Sequence, residues 1–247
     1  MWASNPAFFA QILKPSAPYL VLAGDICSYE KRQKLKPFLE YCAANWDKIF
    51  MVAGNHEYYA YKTPTSRIEE WLKEECAAFP NIHFLQKETY NLEDKYTIIG
   101  ATLWTNINPE IDYEAYAQMN DFKKITNNDG TPFKPADSRK LYEEHTKYIV
   151  KEINKALEDG HIPIVITHHL PSPALIDAKY ADSPLNSCYA SPFLDYLYDT
   201  PSIWFYGHSH VQGVKEFRHT KCCIYALGYP GELKAPPEPA TVPLPTV

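Results

Sequence analysis

Four separate apolar runs, each ending abruptly in a cluster of small and polar residues, constrain this chain more than any other feature. Residues 19–26 (YLVLAGDI) end in Gly24-Asp25, and residues 49–53 (IFMVA) run straight into Gly54-Asn55-His56-Glu57. Residues 162–167 (IPIVIT) deliver His168 and His169, and residues 203–206 (IWFY) deliver Gly207-His208-Ser209-His210. Short, uninterrupted apolar runs of this kind read as strands buried on both faces. Helical spacing of apolar residues lies between them at 30–46 and 136–158, with Asp137 or Ser138 as a possible N-cap of the second. Residues 63–79 and 191–198 read as further helices, and 96–104 as another strand. Residues 214–218 and 222–227 read as a closing antiparallel pair. Strands alternating with helices predict a layered α/β domain.

In such sheets the carboxyl ends of the strands face the ligand crevice, so the four polar clusters are expected to meet. Converging Asp and Asn oxygens and His nitrogens form a mixed ligand set that suits Mn, Fe or Zn. Gly24, Gly54 and Gly207, which precede three of the clusters, are expected to let the backbone turn sharply. A lone histidine is more often a core or surface residue than a ligand, and Gly-Asp after a strand is common. Gly-Asn-His-Glu and Gly-His-x-His, each after a buried strand, are far more specific. His169 directly follows a candidate ligand, so its side chain is expected to point elsewhere and to be structural.

Charge and composition narrow the classes. A net charge of -6 argues against a general nucleic-acid binder, which would carry a basic face. None of the six cysteines forms a C-x-x-C pair, no apolar run approaches membrane-spanning length, and residues 1–10 lack the pattern of a secretory signal. A cytoplasmic protein with reduced thiols is therefore expected. Residues 1–234 read as one domain, and 235–247 as a proline-rich, extended and disordered tail.

In their order, the clusters resemble the calcineurin-like metallophosphoesterase superfamily, whose motifs run Asp-x-His, Gly-Asp, Gly-Asn-His-Glu/Asp, a later His, then Gly-His-x-His. The likeness extends from about residue 19 to about residue 232. It includes Leu103-Trp104-Thr105, Asn120-Asp121-Phe122 and the closing stretch 227–232. The resemblance implies a four-layer α/β/β/α sandwich with two mixed sheets and a hydrolase of phosphate mono- or diesters acting through metal-activated water. It implies that Asp25 bridges two cations, that Asn55, His168 and His208 bind the second, and that His210 binds the first. His56 would contact the phosphate and act as general acid, with Glu57 orienting it. The substrate would be a small phosphate ester or a phosphoprotein; a nuclease would want a basic face that this chain lacks.

The first block departs from the pattern. No Asp-x-His occurs before Gly24, and residues 5–18 resemble the linker and helix that follow it in the family. Either an N-terminal strand is absent from the chain as written or this is a natural variant that lost part of the first metal site. With only Asp25 and His210 left there, the expectation is one firmly bound cation and one weak one. A non-catalytic binding module on the same fold is the competing reading.

Overall fold

The computed structural model describes residues 6–229, 232 and 240–246. Two sheets stack face to face. The first has three parallel strands in the order β1 (Tyr19–Leu22), β2 (Lys48–Met51), β3 (Ile82–Phe84). The second contains β4 (Glu88–Leu92), β5 (Tyr96–Ala101), β6 (Ile162–Thr167), β7 (Ile203–Phe205), β8 (Gln212–Phe217) and β9 (Thr220–Tyr225). Its order is β4-β5-β6-β7-β9-β8, parallel in the middle and antiparallel at both edges.

Helix α1 (Pro6–Ile12) precedes β1, and α2 (Leu35–Asn45) and α3 (Thr65–Ala77) cover the outer face of the first sheet. The short α4 (Asp112–Gln118) and α5 (Asp121–Lys124) follow β5. Then comes the long α6 (Pro135–Glu158), which packs on the outer face of the second sheet, and the short α7 (Phe193–Tyr196).

The period of two along each strand explains why these runs are apolar throughout. In β2, Ile49 and Met51 enter the core beneath α2 and α3, while Phe50 between them enters the core that separates the sheets. In β6, Ile164 and Ile166 face the inter-sheet core and Val165 faces α6. β7 divides likewise, Ile203 inward and Trp204 outward. Each fully buried side chain of this size contributes roughly 1.5–3 kcal/mol, so three stacked cores result from a few short strands.

Several expectations need correction. Of the two sheets, only the larger is mixed. The segment expected to be one helix from residue 30 begins as a 3-10 turn, Tyr29–Lys34, with Lys31 in a non-helical conformation (φ -116°). No residue of that turn is buried, so it has no packed face to stabilise an α-helical register. α6 begins at Pro135 with Lys134 as its N-cap, and Asp137 serves one turn later, accepting the Lys134 N–H at 2.8 Å. The proline-rich tail is not free of the domain where it is described. Val242 and Leu244 pack against the inter-sheet core, and the Tyr96 hydroxyl donates to the Pro245 carbonyl at 2.9 Å. Residues 235–239 and 247 lie outside the described residues. Among the described residues, no helix is long and apolar enough to cross a membrane.

Candidate metal centre and active site

The four clusters reach one rim, and the backbone bends to bring them there. After β1 the chain turns through Gly24 (φ 86°) and Asp25 (φ 60°), and after β7 His208 is also left-handed (φ 64°). A non-glycine residue held there costs of order 1–3 kcal/mol. Both strained residues carry candidate ligand atoms.

The glycines act mainly by making room, not by turning. Of the three, only Gly24 has a positive φ. A Cβ on Gly54 would stand 2.2 Å from Asp25 Oδ1 and 2.7 Å from the His168 ring; one on Gly207 would stand 2.6 Å from the Ala23 carbonyl oxygen. Strand ends and the His168 ring are in contact with no space for a methyl group.

At the centre lies His168. Its Nδ1 is 2.7 Å from the Ala23 carbonyl oxygen, which fixes the ring proton on Nδ1 and turns the Nε2 lone pair inward. Around Nε2 stand Asn55 Oδ1 at 3.0 Å, His208 Nδ1 at 3.1 Å and Asp25 Oδ1 at 3.4 Å. The Asn55 amide is set by its other end, where Nδ2 donates to Asp121 Oδ1 at 2.7 Å and to the Tyr59 hydroxyl at 3.1 Å. Its carbonyl oxygen is thereby the atom presented to the imidazoles. Burial keeps both His168 and His208 below the ordinary histidine range, so both rings are neutral near pH 7.

Four electron-rich atoms thus face one another at hydrogen-bond range. The His168 proton is committed to Ala23, so its Nε2 presents a lone pair to the others. Such a set offers its lone pairs to a cation. Asp25, His168 and His208 alone present ligand atoms within 4.8 Å of one another. Two imidazoles, a carboxylate and an amide oxygen fit a divalent transition metal well.

Glu57 does not orient His56, as the sequence reading expected. Its fully buried carboxylate accepts three backbone N–H groups, from Gly54 at 2.7 Å, Asp25 at 2.8 Å and Cys27 at 2.8 Å. It therefore clamps the loop after β1 to the loop after β2. Burial, with help from the Asp25 charge, raises its pKa to about 7 against the pull of those donors.

His56 lies at the rim, partly exposed. Its backbone N–H donates to Asp25 Oδ1 at 2.9 Å, its ring stacks on Tyr59 with centroids 4.4 Å apart, and Nε2 is 3.9 Å from Asp25 Oδ2. The Tyr229 hydroxyl stands 3.5 Å from Nε2. His210 is set apart from the inner group; its Nδ1 is 2.7 Å from Glu232 Oε2 and its ring packs edge-on to Tyr229. His169 is buried behind the inner group, its ring packed on that of His208 with centroids 4.4 Å apart and near Trp104, and its Nδ1 donates toward the Thr102 carbonyl oxygen at 3.3 Å.

Two residues that sequence reasoning did not assign belong to this network. Asp121, buried at the start of α5, accepts from both Asn55 and the Tyr59 hydroxyl (2.7 Å). Tyr59 then places its ring under His56, so one side chain touches both the ligand-orienting pair and the rim histidine. The triplet Asn120-Asp121-Phe122 was the available signal, without anything to say what the carboxylate holds.

The layered sheets and the rim of Asp, Asn and His side chains define a metallophosphoesterase, and the chain belongs to the calcineurin-like phosphoesterase family, whose model matches residues 1–212. It is 32% identical over 228 residues to the uncharacterized protein L509 of Acanthamoeba polyphaga mimivirus, the match covering 87% of this chain and 79% of that protein. Among solved structures, phosphopantetheinyl hydrolase (PptH) from Mycobacterium tuberculosis shares the fold, with a TM-score of 0.67 at 17% identity over 94% of this chain and 90% of that one. Family membership supports a phosphoesterase-type function with divalent metals.

Proposed function

We propose that this protein hydrolyses phosphate mono- or diesters of small molecules or phosphoproteins. The supporting observation is the inward-facing set of Asp25 Oδ1, Asn55 Oδ1, His168 Nε2 and His208 Nδ1, which would hold one divalent cation, Mn, Fe or Zn. When bound, such a cation supplies positive charge that polarises the phosphoryl group and acidifies water. A second cation would have Asp25 and His210 and would bind weakly.

The chain's own residues do the rest. His56, braced by Tyr59 and standing beside Asp25, gives a proton from its ring to the departing ester oxygen while water adds to phosphorus from the opposite side. Glu57 and the three tightly packed glycines hold the strand ends at fixed separation, so the donors need no rearrangement as charge develops. The competing reading is a binding module without turnover on the same fold.

Hydrolysis of p-nitrophenyl phosphate and of its bis-ester, with added Mn2+, separates the two. The hydrolase reading expects turnover of at least one ester, and a His56→Ala variant that loses about 10²–10⁴-fold in kcat while keeping its Mn content. A Mn-loaded wild-type chain that turns over neither ester would establish the binding module instead.

A further inference from the structure

We infer that Tyr229 is a catalytic residue whose hydroxyl donates a hydrogen bond to the same ester oxygen that receives the His56 proton, and that Glu232 is the positioning residue that holds Tyr229 there. This rests on the hydrolase reading above, because a general acid must touch the departing oxygen and His56 thereby fixes where that oxygen lies.

The turn that carries Tyr229 is built around one carboxylate. Glu232 Oε2 accepts from the Tyr229 backbone N–H and from His210 Nδ1, both at 2.7 Å. The Glu232 N–H donates back to the Tyr229 carbonyl at 3.0 Å and closes the turn. Gly228 permits this close approach. It is left-handed (φ 65°), and a Cβ there would stand 2.7 Å from Glu232 Oε2. One side chain thus ties the tyrosine to a histidine of the rim.

These contacts aim a side chain that core packing does not hold, since Tyr229 is 54% exposed. Its ring lies edge-on to His210 with centroids 4.7 Å apart and is inclined 33° to the His56 ring at 6.1 Å. Its hydroxyl reaches to 3.5 Å from His56 Nε2. At that distance the two groups are too far apart for a good mutual hydrogen bond. They are well spaced to share a third atom, because one oxygen can sit about 2.8 Å from both. A phenol keeps its proton at neutral pH, so Tyr229 supplies a hydrogen bond while His56 supplies the proton. Charge gathers on the ester oxygen as its bond to phosphorus breaks. An O–H already aimed at that oxygen therefore stabilises the transition state more than the bound ester.

Two esters that differ in how much help the leaving oxygen needs test this in the full-length protein with added Mn2+. Phenyl phosphate has a poor leaving group and p-nitrophenyl phosphate a good one. Tyr229→Phe keeps the ring and the backbone N–H and removes only the hydroxyl. The expected loss in kcat is about tenfold on phenyl phosphate, the size of one hydrogen bond, and less than about threefold on p-nitrophenyl phosphate. Glu232→Ala reproduces that unequal loss, and Glu232→Gln, whose amide oxygen still accepts, restores most of the rate. Equal losses on the two esters, or none, overturn the role of Tyr229; wild-type rates in Glu232→Ala overturn that of Glu232. A wild type that turns over neither ester removes the hydrolase reading instead. Calorimetric titration of phenyl phosphate into Mn-loaded wild type and Tyr229→Phe then decides for Tyr229: weaker binding by the variant keeps the contact, and equal binding removes it.

Discussion

The two histidines of the Gly-His-x-His motif, two residues apart, have different partners. His208 is held in the left-handed region, half-buried with its ring against His168, and its ligand atom lies close to that of Asp25. His210 is partly exposed and tied to Glu232, outside that group. The inner half of the site is over-determined: the Glu57 clamp, the Asp121–Tyr59 brace and glycine contacts all fix the same few atoms. The outer half has one histidine, one carboxylate and a tyrosine. Affinity for a cation follows from how many donors are held before it arrives, so the halves should behave as a strong and a weak site.

The largest expected effect concerns the frame behind the inner half. His145, on α6, accepts the Leu103 N–H at 3.0 Å and so supports the left-handed pair Leu103 (φ 70°) and Trp104 (φ 38°), the latter packed beside His169. Burial lowers its pKa to about 3. The unfolded chain binds that proton near pH 6.5 and the folded protein does not, so stability is full above about pH 6.5 and falls as pH drops toward 3. The limiting slope is about 1.4 kcal/mol per pH unit. His145→Asn, whose amide oxygen can replace Nδ1, should flatten denaturant-derived stability across that window relative to wild type. Parallel curves would show that His145 is not the titrating group.

A smaller effect is expected from the brace. Asp121→Ala removes the acceptor that sets the Asn55 amide, and should weaken Mn2+ binding about 10–100-fold with the fold intact by circular dichroism. Unchanged affinity would mean Asn55 is oriented by something else. The smallest effect belongs to the outer half: His210→Ala should change the affinity of the firmly held cation by less than about threefold, since a group outside the inner set adds little to it. A large loss in calorimetric titration would erase the distinction between the halves.

How much of this was legible in the sequence depends on how local the cause is. The strands that end in the site were readable because both faces are buried, as with β6 and its alternation between two cores. β3 and β4 were not: β3 has three residues, and β4 is an edge strand with only Leu92 buried. The candidate ligands were readable as motifs, and the structure brings Asp25, Asn55, His168 and His208 together. The roles of Glu57 and Asp121 were not readable, because each acts on atoms 30 or more positions away in sequence. The tail misled because prolines at 243 and 245 hide the alternating Val242 and Leu244 that dock it.

The central claim is that four preset donors around His168 make one strong cation site. Metal content after dialysis, measured per chain on wild type and on His168→Ala, tests it most directly. The account predicts close to one Mn2+ retained by wild type and almost none by His168→Ala. Two firmly retained ions in wild type, or one that survives the loss of His168, would contradict it.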